Sequence, residues 1–182
     1  MARAKFLCDA ERCIECNACV TACKNEHEVP WGINRRRVVT INDGQPGERS
    51  LSVACMHCAD APCMAVCPVD CFYQTNDGVV LHDKDICIGC GYCVMACPFG
   101  ARYFHPVHNV VDKCTFCYHR ITKGLETACV NACPFGARKM CNIRDINDPI
   151  TQIILNERVG VLKDEFGTNP QAFYIGLASE VR

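Results

Sequence analysis

The sequence predicts an α+β protein in which short hairpins and short helices surround four cysteine-rich loops, with a C-terminal extension beyond them. Three observations predict it. Sixteen of the nineteen cysteines fall into four compact sets of four, each ending in a Cys-x-x-x-Cys step. Two segments carry hairpin signals, and one strong helix signal lies in the tail.

Along the chain, the first set is Cys13, Cys16, Cys19 and Cys23. Residues 37–41 and 51–54 flank the turn-rich run 42–47 and read as a loose hairpin. The second set follows: Cys55, Cys58, Cys63 and Cys67. Residues 72–75 and 79–82 enclose Asn76-Asp77-Gly78, a tight-turn signal, because glycine tolerates the positive φ such turns need. The third set is Cys87, Cys90, Cys93 and Cys97, and the fourth Cys114, Cys117, Cys129 and Cys133. Cysteine loops interrupt the apolar runs, so helices should be few and short. The tail is the expected exception: Asp148-Pro149 makes a cap and first turn, and apolar residues of 150–156 share one helical face. Gly167-Thr-Asn-Pro170 breaks the chain, and 172–175 looks extended. Residues 31–37, with the run Arg35, Arg36, Arg37, read either as a docking surface or as a solvated loop.

The bulk numbers exclude several classes. A chain of 182 residues builds one sizeable domain or two small ones. A formal charge of −1 provides no broad basic face for nucleic acid. No stretch reaches the eighteen or so apolar residues that would span a bilayer. The first eight residues have neither a long apolar core nor twin arginines, so no export signal is expected.

The spacing points to cubane iron–sulfur clusters. A four-iron cube takes one thiolate per iron, and cysteines at i, i+3 and i+6 let one curled loop reach three corners. Asn17, Gly89 and Gly91 sit inside such loops, where unusual backbone angles are useful. The last cysteine of sets two, three and four precedes Pro68, Pro98 and Pro134, and proline ends the turn for want of an N–H. Zinc favours separated Cys-x-x-Cys pairs, and a third cysteine three residues later crowds one tetrahedral ion. Disulfides would need an oxidising compartment, and nineteen is an odd count. Basic residues near the cysteines (Lys24, Arg102, Lys113 and Arg138) would offset cluster charge or be ordinary solvated side chains. Cys8, Cys71 and Cys141 read as small buried apolar residues, and His57 as a packing or hydrogen-bonding group. The other histidines form no visible metal pattern. No phosphate-binding glycine loop and no candidate site for substrate chemistry is present.

Cys97-Pro-Phe-Gly-Ala-Arg102 returns as Cys133-Pro-Phe-Gly-Ala-Arg138, with Cys67-Pro68 opening a third version. Each unit matches the half-repeat of a bacterial two-cluster ferredoxin, whose fourth cysteine crosses to the neighbouring cluster. Four units make two modules. Spacing alone pairs set one with two as readily as with four.

The chain resembles the four-cluster electron-transfer subunits of molybdopterin and tungstopterin oxidoreductases: those of formate dehydrogenase, polysulfide reductase, dimethyl sulfoxide reductase and the nitrite-reductase-associated ferredoxin-type protein. The resemblance runs from Lys5 to Tyr174. It is carried by Cys55-Met-His-Cys-Ala-Asp-Ala-Pro-Cys63, Asp112-Lys-Cys-Thr-Phe-Cys-Tyr-His-Arg-Ile-Thr-Lys-Gly124, Asn147-Asp-Pro149 and Gly167-Thr-Asn-Pro170. It implies nested modules: an outer one from 1–34 and 105–141, an inner one from 35–104 with a hairpin insertion, and a docking extension at 142–182. It also implies four [4Fe–4S] clusters. Cys13, Cys16, Cys19 and Cys133 would hold the first; Cys23, Cys114, Cys117 and Cys129 the second. Cys67, Cys87, Cys90 and Cys93 would hold the third; Cys55, Cys58, Cys63 and Cys97 the fourth.

The implied function is electron relay without catalysis, between a pterin-containing catalytic subunit at the first cluster and a quinone-linked membrane subunit, cytochrome or other carrier at the fourth. The front of the chain looks most like formate dehydrogenase subunits. A free-standing polyferredoxin, or a relay in a polysulfide, nitrite, aldehyde oxidoreductase or hydrogenase complex, is the alternative. The implied compartment is the cytoplasm, or the periplasm by co-export with a signal-bearing partner. Membrane attachment would come through another subunit.

Overall fold

The computed structural model describes residues 4–157 and 159–177. Among them the fold is built from small sheets and short helices strung between cysteine loops. Strand β1 (Ala4–Asp9) leads into the first loop and helix α1 (Ala18–His27). The hairpin β2 (Arg37–Ile41) and β3 (Arg49–Val53) follows, in register from Arg37 opposite Val53 to Ile41 opposite Arg49. Next come α2 (Pro62–Ala65), the hairpin β4 (Phe72–Gln74) and β5 (Val80–His82), and α3 (Tyr92–Met95). The hairpin β6 (Arg102–Phe104) and β7 (Val111–Lys113) precedes α4 (Tyr118–Ile121) and α5 (Ala128–Asn131). Strand β8 (Arg138–Asn142), helix α6 (Pro149–Asn156), a 3₁₀ turn at Asp164–Phe166 and strand β9 (Ala172–Ile175) complete it.

Both expected hairpins form. In the second, Gly78 adopts φ 80°, and its N–H donates to the Thr75 carbonyl at 2.9 Å, closing the Asn-Asp-Gly turn. The tail helix forms with Asp148 as its cap, the carboxylate accepting the Ile150 N–H at 2.8 Å.

The expectation that the tail alone departs from short helices is corrected. Helix α1 has ten residues, more than the eight of α6. It needs no separate apolar stripe, because Cys19 and Cys23, one turn apart, are its buried face.

Strands β1, β6, β7 and β8 have no clear signal in the sequence. Strand β1 is central in a three-stranded sheet, antiparallel to β8 and parallel to β9. The N- and C-terminal segments thus close on one another, and Leu7 and Tyr174 are almost wholly buried. Helix α1 packs against α5, and α2 against α3. One core runs through the middle, from Phe6 and Phe116, stacked at 3.9 Å, to Leu51, Met56 and Val79. No helix among the described residues is long and apolar enough to cross a membrane.

Candidate metal centres

Each cysteine loop is bent by residues in the left-handed region. Glu15 and Asn17 lie there in the first loop, His57 in the second, Gly89 and Gly91 in the third, and Phe116 and Cys117 in the fourth. At Gly89, φ +67°, a Cβ would come 2.4 Å from the Asn109 carbonyl oxygen, so no larger residue fits. This curling turns consecutive thiols towards a common space.

Cys13, Cys16, Cys19 and Cys133 line one cavity, together with Pro134 and Arg138. Cys55, Cys58, Cys63 and Cys97 line a second with His57 and Arg102. Cys67, Cys87, Cys90 and Cys93 line a third, and Cys71 joins them there. Cys23, Cys114, Cys117 and Cys129 are all buried, and α1, which carries Cys23, packs on α5, which carries Cys129. Burial pushes the Cys23 thiol up to about 12, and thiolates at Cys114 and Cys129 would push the same way. Burial likewise takes Cys117 to about 12. Burial would also raise Cys129, yet Arg36 and Arg138 beside it bring it down to about 7. These sulfurs therefore need cations close by to carry charge.

The donor chemistry fits an iron–sulfur cube better than a single ion. Zinc–sulfur bonds of about 2.3 Å in a tetrahedron put sulfurs roughly 3.8 Å apart. Among the described residues, one group of three donors lies within 4.8 Å of one another, and it is Cys71, His82 and Cys87, not any of the four sets. The sets are splayed wider, as a larger anionic body requires.

Buried cations surround these spaces. Arg102 and Arg138 occupy the same place in the two Cys-Pro-Phe-Gly-Ala-Arg repeats, each opening a strand (β6 and β8). Both are buried, and Arg102 Nε and Nη1 and Arg138 Nε have no hydrogen-bond partner among the described residues. Such donors fit a neighbouring anion carrying sulfide acceptors. Lys113 is fully buried and donates to the carbonyls of Val80 and Cys114, the latter at 2.8 Å. Lys24 Nζ braces the loop after α1 through the carbonyls of Pro30 at 3.0 Å and Ile33 at 2.6 Å.

The Arg35–Arg37 run is neither a docking surface nor a solvated loop in its first two members. Arg35 and Arg36 are 7% and 2% exposed, and the reading is corrected. Arg36 Nη1 donates to Ser52 Oγ at 3.2 Å, and that oxygen lies 3.3 Å from Cys19 Sγ. Negative charge at Cys129, Cys114, Cys23 and Cys19 holds Arg36 protonated despite burial, so it lies between two sets. Three consecutive arginines give no sequence signal for which of them turns inward. Trp31, at 96%, is exposed as expected of a surface segment.

Cys8, Cys71 and Cys141 are buried, as expected. His57 Nδ1 accepts the Val80 N–H at 3.2 Å, a hydrogen-bonding role, and its edge meets Phe116. Two histidines do approach the cysteines, against the sequence reading that they form no such pattern. His27 Nε2 is 3.2 Å from Cys117 Sγ, and His82 lies beside Cys71 and Cys87. No regular spacing links either histidine to the sulfurs it approaches, which is why the sequence did not reveal them.

Comparison with known proteins agrees with this chemistry. Residues 49–143 match the family model described as a 4Fe-4S dicluster domain, and residues 10–26 match a 4Fe-4S binding domain. The chain is 62% identical over 123 residues to the formate dehydrogenase iron-sulfur subunit of Wolinella succinogenes, covering 64% of this chain and 61% of that protein. It thus spans about three-fifths of that relative's length. It is 40% identical to a tetrathionate reductase subunit of Salmonella typhimurium, over 96% of this chain and 73% of that one. A polysulfide reductase chain of Wolinella succinogenes is 35% identical over 92% of this chain and 91% of its own length. With cysteine loops that fit 4Fe-4S clusters and relatives matched along nearly its whole length, the chain belongs to the family of ferredoxin-type 4Fe-4S electron-transfer subunits of molybdopterin oxidoreductases, which are not catalysts by themselves.

Proposed function

We propose that this chain carries four [4Fe–4S] clusters and relays electrons between a pterin-containing catalytic subunit and a quinone-linked membrane subunit, cytochrome or other carrier. The observation that carries the reading is the lining of the cavities. Cys13, Cys16 and Cys19 share one with Cys133 of the far set, and Cys55, Cys58 and Cys63 share one with Cys97. Cys67 shares a third with Cys87, Cys90 and Cys93. Each crossing cysteine joins the loop of another set, which favours nested modules, with sets one and four in the outer and two and three in the inner. The packing of α1 on α5 and of α2 on α3 supports the same pairing.

Crossing ligands keep neighbouring clusters close, and closeness is what a relay needs. The chain's own contribution is to bury the sulfurs of Cys23, Cys114, Cys117 and Cys129, leave the other three groups partly open at the surface, and supply Arg36, Arg102 and Arg138 as fixed counter-charges. We favour a formate dehydrogenase-like partner, on the 62% identity with that subunit from Wolinella succinogenes.

Anaerobic purification through a tag on this chain, followed by mass spectrometry of what accompanies it, tests the reading. A large pterin-binding chain in constant ratio is the expected result. A brown monomer, alone after gentle handling, would instead make the protein a free-standing carrier between enzymes.

A further inference from the structure

The third cavity holds more donors than a cube uses. Besides Cys67, Cys87, Cys90 and Cys93 it is lined by Cys71, whose Sγ lies 3.4 Å from Cys67 Sγ. The chain turns back sharply at Asp70, φ 48°, so that the Cys71 N–H also donates to Cys67 Sγ at 3.4 Å. On its other side, Cys71 lies with Cys87 and His82, the three donor atoms within 4.8 Å of one another. Neither ring nitrogen of His82 has a hydrogen-bond partner among the described residues, and its ring stacks on Phe72 at 4.7 Å. A fifth thiol thus lines a four-thiol site, with an uncommitted imidazole beside it and Cys87. Cys8 and Cys141, the other two cysteines outside the sets, line none of the cysteine cavities.

We propose that Cys71 is a reserve ligand of the third cluster, able to take over from Cys67 the iron that Cys67 holds. The inference rests on the ligand sets proposed above. The exchange is balanced without any redox change: one iron–sulfur bond to Cys67 breaks, one to Cys71 forms, and the Cys71 proton passes to the Cys67 sulfur beside it. The two sulfurs are close enough that a side-chain rotation, with little backbone movement, can make the change. Cys67 is partly exposed, whereas Cys71 is 2% exposed, so the reserve is the better protected of the two.

The test compares iron content and low-temperature electron paramagnetic resonance of the full-length protein, purified anaerobically, in four variants. Cys90→Ser removes a ligand of the same cavity that has no such neighbour, and it should lose about a quarter of the iron or leave a three-iron signal. Cys67→Ser should keep the wild-type iron content, with a changed signal from one cluster. Cys71→Ser alone should also keep it, and Cys67→Ser combined with Cys71→Ser should fall to the Cys90→Ser level. If Cys67→Ser alone falls that far, or fails to accumulate, the reserve role is overturned while the ligand sets stand. If Cys90→Ser keeps all its iron, the ligand sets themselves are wrong.

Discussion

Arg35 Nη2 lies 2.7 Å from Asp112 Oδ2, a pair buried on both sides and joining residues 77 apart in sequence. The same carboxylate accepts from Lys84 Nζ at 2.7 Å and Tyr103 Oη at 3.1 Å, and its second oxygen takes the Lys113 N–H at 2.6 Å. Burial alone would raise the Asp112 pKa, but Arg35 and Lys84 outweigh it and hold the carboxyl at about 2. Removing one member of such a pair leaves a buried charge uncompensated. Asp112→Asn should therefore cost about 3 kcal/mol, read by anaerobic denaturant unfolding. The sign of the pH effect follows from the lowered pKa. The carboxylate's contribution is fully present above the unfolded value of about 4 and fades only towards 2. The difference between wild type and Asp112→Asn should stay flat from about pH 8 to about pH 5, and a decline within that window would refute the assignment.

Arg36 sits between two cysteine sets, and its charge should be felt by both. Reduction adds an electron, and a nearby positive charge favours it. At an effective dielectric near 20, one buried charge contributes a few kcal/mol, on the order of 100 mV for a one-electron couple. Arg36→Gln should lower the potentials of the clusters nearest Cys19 and Cys129 by an amount of that order, with the other two moving far less. Redox titration followed by electron paramagnetic resonance resolves this. Ser52→Ala, which removes the hydroxyl between Arg36 and Cys19, should move chiefly the first.

The cysteine loops and both hairpins were legible because their signals are local: fixed cysteine spacing, proline after the crossing residue, glycine at a turn. Hairpin β4–β5 could be read from Asn76-Asp77-Gly78 alone. Strand β1 could not, because its partners are β8 and β9, at the far end of the chain, with Phe6 opposite Met140 and Ala172. Arg36 escaped for a related reason: an arginine goes inward only where something anionic awaits it, and that something is assembled from four distant cysteines. His27 and His82 reach sulfur in the same non-local way. The sequence thus discloses the donors and the basic residues next to them, Arg102, Lys113 and Arg138, but not Arg36, which only the fold brings to the sulfurs.

Gly89 tests how tightly the third loop is drawn. A methyl group there meets the Asn109 carbonyl oxygen at 2.4 Å in a conformation that already disfavours side chains. The backbone strain alone costs about 1–3 kcal/mol. Gly89→Ala should lower the iron content through the cluster proposed for this loop, whereas an alanine at Gly100, with nothing within 4 Å, should carry only the φ penalty and keep the iron. Equal iron loss in both would show that contact with Asn109 does not matter.

The tail bears on whether the segment after Cys141 serves docking alone. Strand β9 lies parallel to β1, Tyr174 is 2% exposed, and the Gln171 N–H donates to the Met56 carbonyl at 2.8 Å, inside the Cys55–Cys58 loop. Ala59 N–H reaches the Asn169 carbonyl at 2.9 Å. The tail therefore holds the shape of the loop that carries Cys58. A chain ending after Cys141 should lose iron first from the cluster proposed for Cys55, Cys58, Cys63 and Cys97. Asp148→Ala, which removes only the α6 cap, should cost about 1 kcal/mol and leave the iron in place. A truncated protein with full iron content would reduce the tail to a docking segment.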